Sequence, residues 1–163
     1  MAAPLRAPSF PMHYALSIRS PQDTSLIMAE IRTVTDSFAV APQIGPDDVE
    51  EIAAAGFKTI IANRPDGEGG PDQPRMGQIR ARAEALGLTF VALPFSGAPT
   101  PEIVERTIQI LSEAETPILA YCRTGTRSIT AWALVHGGQG MAEEIIQAGA
   151  GAGYDLASLR ELL

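Results

Sequence analysis

The sequence predicts a three-layer α/β domain, with a mainly parallel central sheet of four or five strands and helices on both faces. Two observations predict it. The chain has 163 residues, 45% of them hydrophobic and 19% charged, which suits one ordinary core rather than two. Short runs rich in apolar and β-branched residues alternate with stretches of helical periodicity, a pattern typical of helices packed on a sheet.

The first 27 residues stand apart from this alternation. They contain four prolines and several turn-forming residues without helical or strand periodicity, which predicts a flexible extension. Met28 directly precedes the first segment with strand character, so we expect the natural start at Met28 and the folded domain over residues 28–163. N-terminal sequencing of protein purified from its source tests this start.

The first part of the domain predicts two strands, a helix and a third strand. Residues 31–35 and 37–40 have strand character and are close enough to form a hairpin. Residues 45–48, Gly-Pro-Asp-Asp, begin a helix, because proline suits a first helical turn and aspartates favour the positive end of the helix dipole. Gly56 ends that helix, and residues 58–62 form an apolar run typical of a buried strand.

The middle of the domain predicts a loop, two helices and a strand. Three prolines and three glycines make residues 63–74 a loop, and residues 75–86 follow as a helix that ends before Gly87. Residues 88–95 are an apolar strand. Residues 100–114 begin with a threonine N-cap, a proline and a glutamate, which predicts another helix.

The last part of the domain predicts a strand over residues 116–121 and a helix over residues 128–135. Residues 141–148 have the periodicity of a further helix, and the glycines of residues 149–153 predict a flexible break. Asp155 is then placed to cap a short terminal helix with leucines on one face.

Composition excludes several classes of function. The net charge is -7, and 11 of the 12 basic residues are scattered arginines, which argues against nucleic acid or a membrane as partner. A single cysteine excludes an internal disulfide, and His13 and His136 lie far apart, so we predict neither a metal site nor a cofactor. The chain has no apolar run long enough to span a bilayer and no secretory pattern, which predicts a cytoplasmic protein.

The residues with chemical potential lie between the last strand and the helix after it, in Tyr-Cys-Arg-Thr-Gly-Thr-Arg-Ser over residues 121–128. A loop that joins a strand to a helix points backbone N–H groups inward, and the helix adds roughly half a positive charge. We expect the same field to favour the thiolate of Cys122 over the thiol. We therefore predict Cys122 as a nucleophile; the alternative is a buried, inert cysteine at a strand end.

The other loop residues suit an anion cradle. Gly125 lets the backbone turn and approach an oxyanion closely, and Arg127 offers a planar fork of donors. Arg123 is a second cation, directed either into the pocket or to solvent. Three residues supply hydroxyl groups that could stabilise the thiolate or a leaving group: Thr124, Thr126 and Ser128. Ser128 is also a candidate cap for the following helix.

Two segments carry a resemblance to a known family: Phe-Lys-Thr-Ile-Ile-Ala-Asn-Arg-Pro-Asp-Gly-Glu over residues 57–68 and Leu-Ala-Tyr-Cys-Arg-Thr-Gly-Thr-Arg-Ser over residues 119–128. From about residue 29 to 163 the chain resembles the phosphatase-like domain of beta-lactamase-hydrolase-like proteins. Members of this bacterial family have been labelled both phosphatase and sulfur transferase. The resemblance implies a tyrosine-phosphatase-like fold and a catalytic domain over residues 28–163.

The spacing of the loop favours sulfur transfer. Tyrosine and dual-specificity phosphatases use a cysteine, five residues and an arginine, whereas rhodanese sulfurtransferases commonly have four residues in between. Four residues separate Cys122 from Arg127, and we expect this tighter ring of amides to fit a Cys122 persulfide better than a phosphoryl group. With no second cysteine in the chain, the sulfur acceptor must be an external thiol such as glutathione, and the resemblance suggests a sulfur-oxidising partner protein.

A phosphatase acting through a Cys122 phosphocysteine is the alternative enzyme, and it needs a general acid. The residues expected to supply one, 94–100, contain no carboxylate, so Asp66 or else Glu68 would substitute. Asp66 is equally suited to a structural turn. Arg64 is expected to pair with Asp66 or Glu68, or to line the pocket mouth and attract an anionic substrate. A third hypothesis is a catalytically silent module that binds anions or senses persulfide.

Overall fold

The computed structural model describes residues 30–163, and its centre is one five-stranded sheet. In spatial order the strands run β1-β2-β5-β3-β4, with β1 antiparallel to β2 and every other neighbouring pair parallel. The strands are β1 (Arg32–Thr35), β2 (Phe38–Ala41), β3 (Thr59–Ala62), β4 (Thr89–Ala92) and β5 (Ile118–Tyr121). The predicted hairpin is therefore present as β1 and β2.

Helices connect the strands and close the domain. They are α1 (Val49–Ala54), α2 (Met76–Ala85), α3 (Pro101–Glu113), α4 (Thr126–Val135) and α5 (Ala142–Gly151), with 3-10 turns at Pro46–Asp48 and Ala157–Leu162. None of the helices within residues 30–163 is long and apolar enough to cross a bilayer.

Two apolar clusters, one on each face of the sheet, make up the core. Ile60 packs with Ile52 in a cluster to which α1 and α2 contribute, while Ile61 packs with Ile129 in a cluster to which α3, α4 and α5 contribute. Because successive residues of a strand point to opposite faces, this division places helices on both sides. The three-layer α/β fold predicted from the sequence is confirmed.

The register of the parallel strands determines where the site lies. Tyr121, the last residue of the central strand β5, is aligned with Ala41 of β2 and Ala62 of β3. The residues that follow these three strands consequently meet at one edge of the sheet. Cys122 lies in the middle of this edge, where ligands of parallel α/β sheets are generally bound.

The segment after α5 differs from its prediction. Residues 149–153 were predicted to be a flexible break, but α5 continues to Gly151. Gly149 serves close packing, because a Cβ there would lie 2.5 Å from Cδ1 of the buried Leu156. Asp155 accepts a hydrogen bond from the Ala157 N–H at 3.0 Å, as a cap would, although the terminal element is a 3-10 turn.

Two smaller differences concern element bounds. The strand predicted over residues 88–95 is limited to Thr89–Ala92, at the edge of the sheet. The helix predicted from residue 128 begins two residues earlier, at Thr126. The predicted extension over residues 1–27 and the predicted start at Met28 lie outside the described residues.

Candidate active site

Cys122 lies at the floor of the loop that joins β5 to α4. Its N–H donates to the Ala41 carbonyl at 3.3 Å, which fastens the residue to β2, and its side chain is fully buried. The Gly125 N–H donates to Cys122 Sγ at 3.1 Å. A hydrogen bond to sulfur from the N-cap residue of a helix favours the thiolate over the thiol.

Gly125 is required by the local backbone. It is the N-cap of α4 with a φ of +90°, a conformation that residues with a Cβ rarely adopt. A Cβ at this position would also collide with the hydroxyl of Tyr154. Conformation and surroundings therefore both favour glycine at this position, while its role in an anion cradle stays a prediction.

Arg127 is held at the edge of this loop by two partners. Nη1 and Nη2 donate to the two carboxylate oxygens of Glu68 at 2.8 and 2.6 Å, and Nη1 also donates to the Phe95 carbonyl at 2.9 Å. A guanidinium has five donors in one plane. These bonds use three of them, and the guanidinium also interacts with the side chain of Cys122 through a hydrogen bond and through charge.

The charges of Arg127, Glu68 and Cys122 influence one another. The pKa of Glu68 is lowered, chiefly by its hydrogen bonds to Arg127, so this carboxylate is ionised at neutral pH. The pKa of Arg127 is raised, first by Glu68 and further by the charge of the nearby Cys122 thiolate. Arg127 is thus held beside Cys122 by its ion pair with Glu68.

Arg64 pairs with Glu68, one of the two partners that the sequence allowed. Its Nε donates to Glu68 Oε1 at 3.2 Å, and its Nη1 donates to Gln43 Oε1 at 3.2 Å. The Arg64 side chain is 9% exposed, so it supports Glu68 from within the protein rather than lining an open pocket mouth. Its predicted alternative role, direct attraction of substrate, receives no support from this position.

Ser128 differs from its expected role as a helix cap. It lies inside α4 and is buried, and its hydroxyl donates to Asn63 Oδ1 at 2.8 Å, while Asn63 Nδ2 donates to the Leu93 carbonyl at 3.0 Å. Ser128 therefore ties α4 to the ends of β3 and β4. Sequence reasoning missed Asn63, although a polar residue directly after a buried parallel strand was a usable signal.

Asp66 is engaged in a structural contact. Its Oδ1 accepts a hydrogen bond from the Met76 N–H at 2.8 Å, at the beginning of α2. This contact matches the structural role that the sequence left open. Glu68 is paired with Arg127, and residues 94–100 contain no carboxylate. None of these residues is therefore placed to donate a proton to a leaving group.

The remaining loop residues face outward. The Arg123 side chain is exposed, which selects the solvent orientation of the two that the sequence allowed, and its carbonyl accepts from the Gln43 N–H at 3.3 Å. Thr124 donates to Thr126 at 3.0 Å, and neither hydroxyl contacts Cys122 Sγ. Among residues 30–163, no three His, Cys, Asp or Glu side chains are arranged so that they could hold a metal ion.

The fold and the loop define a domain of the tyrosine-phosphatase-like class. The chain superposes on kinase associated phosphatase with a TM-score of 0.57 at 16% identity, covering 83% of this chain and 92% of that one, a likeness that concerns the fold alone. It superposes on a candidate phosphatase from Neisseria meningitidis Z2491 with a TM-score of 0.73 at 38% identity, covering 81% and 94%.

The sequence match is more specific. Residues 30–140 match the family described as "Beta-lactamase hydrolase-like protein, phosphatase-like domain", and the chain belongs to this family. It is 38% identical over 105 residues to the beta-lactamase hydrolase-like protein of Agrobacterium fabrum, which covers 62% of this chain and 23% of that protein. The chain thus spans about a quarter of the length of that relative. The family predicted from the two sequence segments is confirmed.

Proposed function

We propose that this chain is a cysteine-dependent phosphatase that hydrolyses phosphate monoesters through a Cys122 phosphocysteine. The observation that carries the proposal is the pairing of a sulfur that accepts a hydrogen bond from the N-cap N–H of α4 with the donor edge of Arg127 beside it. Such an edge can bind two oxygens of one phosphoryl group. Membership of a phosphatase-like family and the 38% identity to a candidate phosphatase of known structure support the same function.

Placing phosphatase activity ahead of sulfur transfer reverses the expectation from the length of the loop. The shorter loop favoured a persulfide over a phosphoryl group, yet the size of a ring of amides is only part of an anion site. Arg127 adds a bidentate donor edge from outside the ring, held in place by Glu68. A phosphoryl group, with three terminal oxygens, uses such an edge better than a persulfide, which has one terminal sulfur.

The reaction proceeds in two displacements. The Cys122 thiolate attacks phosphorus, an S–P bond forms, and the P–O bond to the alcohol or phenol breaks. Water then attacks phosphorus, the S–P bond breaks, and inorganic phosphate leaves with the thiolate restored. Loop amides and Arg127 stabilise the charge on the phosphoryl oxygens in both steps.

We infer substrate choice from the lack of an available acid among residues 30–163. Asp66 is bonded to the start of α2, and Glu68 is ionised beside Arg127, so neither is poised to protonate a leaving oxygen. Leaving groups that depart as stable anions need no such proton. We therefore propose that aryl phosphates with acidic phenols are the best substrates and that alkyl phosphates are poor ones.

Sulfur transfer is the second candidate, favoured by two observations: the four-residue spacing, and the absence of a placed general acid in the part of the chain that the structure describes. In this reaction the Cys122 thiolate attacks the outer sulfur of thiosulfate, sulfite departs, and an external thiol such as glutathione removes the sulfane sulfur. A sulfur-oxidising protein would be its natural partner.

Mass spectrometry of the intact protein separates these candidates. Wild type and Cys122→Ser are incubated separately with p-nitrophenyl phosphate and with thiosulfate. We expect wild type to release phosphate from p-nitrophenyl phosphate and Cys122→Ser not to release it, because the substitution removes the thiolate. The substitution is nearly isosteric, so the fold should be kept. A Cys122-dependent gain of one sulfur that cyanide removes, without phosphate release, would move sulfur transfer to first place. If neither phosphate release nor a gain of sulfur is observed, the silent module that binds anions or senses persulfide becomes the favoured function.

A further inference from the structure

One peptide unit in the loop is hydrogen bonded on both of its sides. The carbonyl of Thr124 accepts a hydrogen bond from the Tyr154 hydroxyl at 2.8 Å. The N–H of the same peptide, which belongs to Gly125, donates to Cys122 Sγ at 3.1 Å. Tyr154 is thereby connected to the nucleophile through a single peptide group.

The geometry of a trans peptide couples these two bonds. C=O and N–H point in opposite directions in one rigid plane, so a partner that fixes the carbonyl also fixes the N–H. The Thr124–Gly125 peptide is trans. A donor on the carbonyl also polarises the peptide and strengthens the bond that its N–H makes.

This peptide would be easy to rotate without its outer partner. Glycine tolerates both signs of φ, so the Gly125 side of the peptide offers little resistance to a flip that would turn a carbonyl toward the sulfur. A carbonyl in that position would repel the thiolate. The Tyr154 hydroxyl opposes this flip because it holds the carbonyl on the far side.

Tyr154 is itself held from several directions. Its N–H donates to the Gly149 carbonyl at 2.8 Å, and the Arg32 guanidinium lies 5.4 Å from the centre of its ring. Arg32 also donates to the Ala152 carbonyl at 3.3 Å. Contacts with β1 and with the end of α5 therefore position the Tyr154 hydroxyl against the loop. Tyr154 lies beyond the residues 30–140 that define the family match.

We propose that Tyr154 is a positioning residue, which holds the Thr124–Gly125 peptide with its N–H on Cys122 Sγ and so favours the reactive thiolate. This inference rests on Cys122 being the reacting group, but it applies equally to phosphoryl and sulfur transfer. The pKa of Tyr154 is raised, mainly by burial, so the phenol remains protonated and able to donate at neutral pH.

The test is the pH dependence of Cys122 alkylation by iodoacetamide, followed by intact mass in wild type and in Tyr154→Phe. Phenylalanine keeps the ring and its contact with Arg32 and removes only the hydroxyl. The charged groups around the loop, on Arg127, Glu68, Arg64, Arg123 and Arg32, are unchanged. We expect the midpoint of alkylation to rise by about half to one pH unit, the effect of one lost hydrogen bond.

Matched variants separate positioning from packing. Ser112→Ala also deletes a hydroxyl that donates to a backbone carbonyl, that of Gln109 at 2.8 Å on α3, and should leave the alkylation midpoint unchanged. Tyr154→Leu removes the ring as well, so it should lower the melting temperature more than Tyr154→Phe does. An unchanged alkylation midpoint in Tyr154→Phe would overturn the proposal, whatever happens to the melting temperature. Alkylation requires neither the phosphate nor the sulfur substrate. A failure of the proposed phosphatase activity can therefore be distinguished from a failure of the role proposed for Tyr154.

Discussion

At the scale of single residues, the guanidinium of Arg127 performs two tasks at once. It binds Glu68 and the Phe95 carbonyl, and it also interacts with the side chain of Cys122, where we propose that the phosphoryl oxygens bind. Only a planar group with several fixed donors can do both. An ammonium group has no such plane, so it can satisfy Glu68 or an oxyanion but not both in a defined orientation.

Arg127→Lys should therefore keep the positive charge but lose the bidentate binding of the phosphoryl oxygens. We expect kcat/KM for an aryl phosphate to fall roughly thirtyfold, the equivalent of about 2 kcal/mol of transition-state binding. The control is Arg106→Lys, because Arg106 lies on the exposed face of α3, where it bonds only to Gln109 among the described residues. Steady-state kinetics of both variants checks this, and a wild-type rate in Arg127→Lys would remove Arg127 from the site.

At the scale of secondary-structure elements, the site depends on how α5 packs against the residues after it. Gly149 allows Leu156 to approach the helix, and its carbonyl accepts the N–H of Tyr154. The helix and the terminal segment are thus joined at the point from which Tyr154 reaches the loop. Gly149 therefore serves close packing at this junction.

Gly149→Ala should lower the free energy of unfolding by about 1–3 kcal/mol, since the new Cβ overlaps the buried Leu156 side chain. The matched control is Gly151→Ala in the same helix, where a Cβ meets nothing within 4 Å. That variant should gain about 0.4–1 kcal/mol, because alanine restricts the unfolded chain. Urea denaturation measures both. Equal effects of the two substitutions would show that the packing at Gly149 is not tight.

At the scale of the whole molecule, the network around Glu68 links loops from distant parts of the chain. Glu68 joins Arg64, four residues away, to Arg127, 59 residues away in α4. The Glu68 side chain is only 29% exposed, so its ion pairs are better shielded from solvent than those at the surface.

Glu68→Gln should reduce stability in a pH-dependent manner. The pKa of Glu68 is lowered in the folded state, so its charge stabilises the protein above its ordinary pKa of 4.5, and this contribution is lost as the pH falls through the lowered value. The difference in unfolding free energy between wild type and variant should be constant near neutral pH and should approach zero in acid. Urea denaturation over a pH series measures it.

Glu50→Gln is the control for that series. Glu50 pairs with Arg82 at 3.3 Å, but the two side chains are 73% and 44% exposed, and exposed pairs contribute little. Its stability difference from wild type should be small throughout. A Glu68→Gln difference that persists unchanged in acid would mean that shape, and not charge, accounts for the role of Glu68.

The sequence by itself determined the α/β class, the alternation of elements and the position of Cys122 between a buried strand and a helix. These features depend on local periodicity and on residues that are neighbours in the chain. The same is true of Gly125 and Arg127 as members of the loop. The resemblance of two short segments also identified the family correctly.

Only the tertiary structure decided which distant groups meet this loop. Asn63 is 65 residues from Ser128, Glu68 is 59 from Arg127, and Tyr154 is 30 from Thr124. No local pattern specifies such contacts, because they arise when parallel strands align their ends and helices pack across the sheet. For the same reason Ser128, expected as a cap, became a buried link to Asn63, and Glu68 became the partner of Arg127.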